Sequence, residues 1–180
     1  MALPKDYAGD GCSMSRALEV VGERWTLLVV RDAFFGVRRF GDFIAHLGIP
    51  RAVLTDRLAS LVREGVLTVV PGGHGHDEYA LTGKGVSLWP VVRGLLAWGD
   101  DHYSEAGPRR LFHHAADDGE VGEDGVCARC GGVVAPGDLV MTPGPGLGQP
   151  GHAGQQAKPM QDVVRVALAA PLRLLEPIRG

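Results

Sequence analysis

Cysteine is scarce: Cys12, Cys127 and Cys130 are too few, and odd in number, for the disulfide framework of a secreted domain. They read as thiols of a reducing compartment. No apolar run has the length that spans a bilayer, and Met1 to Gly11 lacks a basic-then-apolar leader pattern, so residence in the cytoplasm is expected. Neither sign of charge prevails. Lys and Arg number 18 against 21 Asp and Glu, a formal net charge of -3, so any claim on nucleic acid has to rest on a local basic surface. Also missing are a Ser/His/Asp set, a phosphate-cradling glycine loop and a complete metal motif, which puts an enzyme last among the readings.

What is present is the composition of a folded protein, 45% hydrophobic and 22% charged, in 180 residues, enough for one ordinary domain and a tail. Apolar residues recur at helical spacing up to about residue 106; beyond it Gly, Pro and Asp prevail. The expected division is a main domain over 11–106 and an extension over 107–180. Within the extension, Gly107 to Gly125 and Thr142 to Gly154 read as linkers or irregular loops.

Ser13 is placed to cap a helix ending at Gly22, and Trp25 to Phe35 reads as a nearly all-apolar second helix. Arg38 to Phe40 suggests an edge strand, followed by a brief helix through Phe43, Ile44 and Leu47. After the turn at Gly48-Ile49-Pro50, Leu54, Leu58, Leu61 and Val62 mark one face of a helix from Arg51 to Glu64, closed by Gly65. Val66 to Val70 and Glu78 to Leu81 pair as a hairpin, and Thr82 caps a long helix with a kink at Pro90. That order is the winged helix-turn-helix, an α+β fold of mainly α content, here with a Gly- and Pro-rich C-terminal extension.

Strings along residues 12 to 103 carry a family resemblance: Cys12 to Gly22, Arg24 to Leu28, Gly36 to Phe43, Val53 to Leu58, Gly65 to Leu67, Tyr79 to Gly85 and Ala97 to Gly99. The chain resembles the HxlR-type regulators of the MarR-like superfamily. The resemblance implies a transcription regulator that binds double-stranded DNA as a homodimer, its first and last helices forming the interface. The two half-sites then lie about 10 base pairs apart in a near-palindrome. Two departures stand out. The first motif has Cys12-Ser13 where the family often has Cys-Pro, and the wing from Pro71 to Glu78 offers only His74 and His76 where a basic residue is usual.

Residues 36 to 63 supply a local basic surface, with Arg38, Arg39, Arg51, Arg57 and Arg63 against Asp42 and Asp56. Arg51, Ala52 and Thr55 open the recognition helix, where base edges are in reach; Arg38 and Arg39 suit phosphates. Arg57 flanks the apolar stripe and reads equally as a partner of Asp42 or Glu19. Trp25, Trp89 and Trp98 are candidates for lining a small-molecule effector pocket, or are plain core. Cys12 begins a helix one turn before Arg16, in a field that favours a thiolate and a redox switch; its other reading is a small packed residue.

In the extension, Cys127-Ala128-Arg129-Cys130 is a knuckle that supplies half of a tetrahedral zinc site, to be completed by His113, His114, His152 or a second subunit. A redox pair and a simple packed turn are the alternatives. Pro159 to Ile178 reads either as a helix extending the dimer interface or as a strand and short helix lying on the core. The rival to DNA binding is a winged helix that docks a protein partner, for which the neutral wing speaks.

Overall fold

The computed structural model describes residues 11–147 and 163–178. His152 and the start of the last apolar segment, 159–162, lie outside the described residues. Helices α1 (Ser13–Val21), α2 (Thr26–Phe34), α3 (Phe40–Leu47) and α4 (Arg51–Arg63) precede the antiparallel hairpin of β1 (Leu67–Pro71) and β2 (Asp77–Leu81), where Leu67 faces Leu81. Then come α5 (Gly83–Val86) and α6 (Trp89–Tyr103). This is a winged helix-turn-helix. The extension adds a three-stranded antiparallel sheet of β3 (Arg110–His114), β4 (Leu139–Pro143) and β5 (Leu172–Arg173), with helix α7 (Val163–Leu168) before the last strand.

Helix α4 follows from its sequence. Pro50 holds the extended backbone that precedes it, Leu54, Leu58 and Leu61 are buried one turn apart, and Gly65 takes the left-handed φ of 67° just past its end. Each of those leucines contributes roughly 1.5–3 kcal/mol through burial. Gly48, at φ 66°, makes the turn from α3 into α4.

Two expectations of local structure are corrected. The helix foreseen from Thr82 with a kink at Pro90 is two helices: Thr82 Oγ1 accepts from Gly85 N–H at 3.1 Å, α5 stops at Val86, and α6 restarts with Pro90 in its first turn. Pro90 has no N–H for the Val86 carbonyl, and its ring crowds that carbonyl. Arg38 to Phe40 is no strand. One backbone bond, from Tyr79 N–H to the Arg38 carbonyl at 2.9 Å, ties it to β2, and Phe40 already opens α3 beside buried Phe43.

The apolar core runs from the helices into the extension without a break, through Phe34, Phe43, Leu58, Trp89, Phe112, Met141 and Leu174. The Trp89 ring stands 5.0 Å from Phe34 and 5.5 Å from Phe112, between winged helix and sheet. Of the two readings of the last segment, α7 and β5 follow the second: Val164, Leu168 and Leu174 are buried. Leu175 N–H donates to the Phe34 carbonyl at 2.8 Å and Ile178 N–H to the Gly36 carbonyl at 3.0 Å. Gly36 is required there, since a Cβ would lie 2.0 Å from the Glu176 carbonyl oxygen and its φ is 86°.

Candidate nucleic-acid interface

With its leucines turned inward, α4 presents Arg51, Ala52, Thr55, Asp56 and Ala59 as an exposed stripe. The Arg51 guanidinium lies 5.2 Å from the Phe40 ring centre, a support from one side that leaves its N–H groups for a ligand. The Thr55 hydroxyl donates to the Arg51 carbonyl at 3.0 Å. Arg63, exposed at the far end, donates to Ser60 Oγ at 3.0 Å.

The remaining arginines divide. Arg57 is turned away from the stripe: its side chain is 26% exposed and its Nη1 is 3.9 Å from Glu23 Oε2, an ion pair with neither of the partners foreseen. Arg38 is committed inward as well, donating through Nη2 to the Leu175 carbonyl at 2.9 Å, so it fastens the C-terminal segment rather than facing a phosphate. Arg39 keeps 43% exposure and donates from Nε to Glu78 Oε1 at 3.3 Å, linking the start of α3 to the wing. At the wing tip His74 lies in the turn Gly73–Gly75, and His76 follows it, exposed.

The Thr82-Gly83-Lys84-Gly85 string clamps wing to recognition helix. Thr82 Oγ1 donates to the Gly65 carbonyl at 2.6 Å, and Lys84 Nζ to the Glu64 carbonyl at 2.6 Å, a cation at the negative end of α4. A Cβ on Gly85 would lie 2.2 Å from the Val66 carbonyl oxygen.

One group beneath the interface escaped the sequence reading. Asp32 is fully buried on α2; its Oδ1 accepts from Arg31 Nη2 at 2.6 Å, and its Oδ2 lies 2.6 Å from His46 Nδ1 on α3. Burial raises its pKa, and the Arg31 charge together with the His46 hydrogen bond outweighs burial, so the carboxyl sits below its ordinary range. The signal was there: an acid in the apolar run from Trp25 to Phe35 needs partners.

The three tryptophans do not gather. Trp89 is core, Trp25 is half-buried with Arg24 5.3 Å from its ring centre, and Trp98 is 53% exposed. A cleft of about 460 Å³ between α6 and the extension is lined by Arg93, Asp100, Arg110, Phe112, Glu120 and Glu123, and none of the tryptophans lines it. Exposed apolar side chains instead crowd α1 and α6: Met14, Leu18, Val91, Leu95, Trp98 and Tyr103.

Cys12 is exposed immediately before α1. Its thiol is lowered by the Ser15 amide first and the Met14 amide next; Arg16, expected to add to that field, is paired with Glu19. In the extension Cys127 is buried and Cys130 exposed, and the pair is joined by His114 and by Asp117, which the sequence reading did not single out. His113 turns elsewhere, its Nδ1 buried and 3.8 Å from Asp118 Oδ1.

The HxlR-like helix-turn-helix family model matches residues 20–107. Rv3095, an HTH-type transcriptional regulator of Mycobacterium tuberculosis, is 43% identical over 143 residues, covering 77% of this chain and 89% of its own. This chain belongs to the HxlR-like helix-turn-helix family. As an HxlR-like protein it is a transcriptional regulator, with DNA as the partner of its helix-turn-helix. YvaP, an HTH-type transcriptional regulator of Bacillus subtilis, is 34% identical over 86 residues, covering 46% of this chain and 80% of its own. The crystal structure of PA1607, described as a transcription factor, is 38% identical with a TM-score of 0.56, covering 72% of this chain and 92% of that one. An alignment of 143 residues exceeds the stretch 20–107, so the likeness to Rv3095 takes in sequence flanking the helix-turn-helix.

Proposed function

We propose that this HxlR-like regulator binds a near-palindromic operator as a homodimer, one α4 from each subunit entering successive faces of the major groove. The observation that carries the reading is the exposed Arg51, Ala52 and Thr55 stripe at the start of α4, braced by Phe40 and clamped to the wing. Arginine there suits guanine O6 and N7, while Arg39 and Arg63 suit phosphates. The uncovered apolar face of α1 and α6 supports dimerisation. The exposed Cys12 thiol, lowered by backbone amides at the start of α1, supports oxidant sensing.

Arg39, Arg51 and Arg63 on each subunit give a dimer about six phosphate or base-edge contacts, for which affinity falls roughly a thousandfold between about 50 and 200 mM salt. Arg51→Ala is expected to cost about 1–3 kcal/mol on the operator and to narrow its preference over random DNA. Fluorescence anisotropy on both DNAs measures this. Equal losses on operator and random DNA remove Arg51 as a base reader, and no binding to either DNA at low salt leaves the winged helix as a protein-docking module.

A further inference from the structure

The loop between β3 and β4 makes the same turn twice. In His114-Ala115-Ala116-Asp117-Asp118-Gly119, Asp118 N–H donates to the His114 carbonyl and His114 N–H to the Gly119 carbonyl, both at 2.8 Å. In Cys127-Ala128-Arg129-Cys130-Gly131-Gly132, Gly131 N–H donates to the Cys127 carbonyl and Cys127 N–H to the Gly132 carbonyl, both at 2.9 Å. The fifth residue is left-handed in each, Asp118 at φ 58° and Gly131 at φ 71°. Both are residue types that tolerate this region. The first and fourth side chains of each turn converge: His114 and Asp117 from one, Cys127 and Cys130 from the other.

Their ligand atoms all lie within 4.8 Å of one another. Cys130 Sγ is 3.6 Å from His114 Nδ1, Cys127 Sγ is 3.4 Å from Asp117 Oδ1, and His114 Nδ1 is 3.3 Å from Asp117 Oδ1. A zinc ion about 2.3 Å from sulfur and about 2.0–2.1 Å from nitrogen or oxygen, at tetrahedral angles, sets such donor pairs about 3.3–3.6 Å apart. The three distances are therefore edges of a zinc-sized tetrahedron. Glycine at 119 permits the approach, since a Cβ there would lie 2.4 Å from Cys127 Sγ. Hydrogen bonding alone is a poor reason for the convergence, because thiols are weak donors.

We infer that His114, Asp117, Cys127 and Cys130 form a structural zinc site within one chain. Two sulfurs, one imidazole and one carboxylate are a donor set for zinc rather than for magnesium or calcium, and four protein ligands leave no position for a substrate. On binding, both thiols release their protons to solvent. Zinc against three anionic donors leaves one negative charge, beside which Arg129 donates to the Asp117 carbonyl. The site ties together the two turns of a loop whose Val121 and Cys127 belong to the core.

Full-length protein produced in zinc-supplemented medium and purified under reducing conditions should carry about one zinc per chain by mass spectrometry. Cobalt(II) in its place should give the intense visible bands of tetrahedral coordination and a near-ultraviolet thiolate charge-transfer band. Cys130→Ser and Asp117→Asn should each weaken zinc binding at least about tenfold. Less than about a tenth of an equivalent of zinc, with cobalt leaving the reduced protein colourless, overturns the site, whether or not the variants fold. Unchanged zinc affinity of both variants in competition with a chelator overturns it too, as does about half an equivalent per chain, which assigns the ion to two subunits.

Discussion

Asp32 holds the Arg31 guanidinium and the His46 ring from a position that water does not reach, and there a neutral side chain of the same shape is no substitute. Asp32→Asn keeps the volume but leaves the Arg31 guanidinium without its counter-charge and His46 Nδ1 without its carboxylate partner, and is expected to cost about 3–5 kcal/mol in urea unfolding. The folded carboxyl titrates below its ordinary value of 3.8, so its contribution is complete above that pH and is lost as pH falls from 3.8 through the folded value. The stability curve of wild type should therefore drop on that acid limb, and that of Asp32→Asn should be flatter there. Parallel limbs would show that the pair with His46 does not hold α3 onto α2. Cys12 acts at the same scale by different chemistry. Its thiolate is favoured by the amides of Ser15 and Met14, so diamide should form a mixed or intersubunit disulfide and change operator binding of wild type. Cys12→Ser should be indifferent; identical responses of both proteins in a binding assay beside a non-reducing gel would assign Cys12 to packing.

Among the elements, those with their own period were legible and those completed by distant partners were not. The leucines of α4 declared themselves because burial of one face is written at i, i+4 and i+7, and β1 because a β-branched run stops at Pro71-Gly72-Gly73. The α5–α6 break was misread as a kink, because Thr82 capping and Pro90 each mark a helix start and only the intervening turn at Ser87 and Leu88 shows that they start different helices. Helix α6 carries the consequence that matters for assembly. Its Val91, Leu95 and Trp98 lie in one uncovered line with Tyr103 beyond them, and Met14 and Leu18 of α1 are uncovered too. Leu95→Asp puts a charge into that face, which in a closed interface costs several kcal/mol, and should turn the proposed dimer into a monomer at micromolar concentration. Sedimentation of the variant decides the point; an unchanged dimer would place the interface on another surface.

At the scale of the molecule, the exposed stripe proposed to read DNA was largely legible, because exposure of Arg51 and Thr55 follows from where the leucines of α4 point. What supports it was not. Arg38 looked like a phosphate contact because its partner, the Leu175 carbonyl, stands 137 residues away, and no local pattern records such a pairing. Asp117 escaped notice beside the cysteines and His114 for a related reason: a His-x-x-Asp sequence brings its two side chains to the cysteines only when a second turn of the same shape is set against it. The return of the chain to α2 has a consequence for synthesis. Residues 174–178 dock on Phe34 and Gly36, so the packing around the end of α2 closes only after a segment far downstream has been made. Contacts of such long sequence separation carry the largest loop-closure cost and are the slow ones to form. A nascent chain stalled before Leu174 carries the whole of α4 yet lacks the segment that docks on the end of α2, so the helix that presents Arg51 is made long before the packing beneath it is complete.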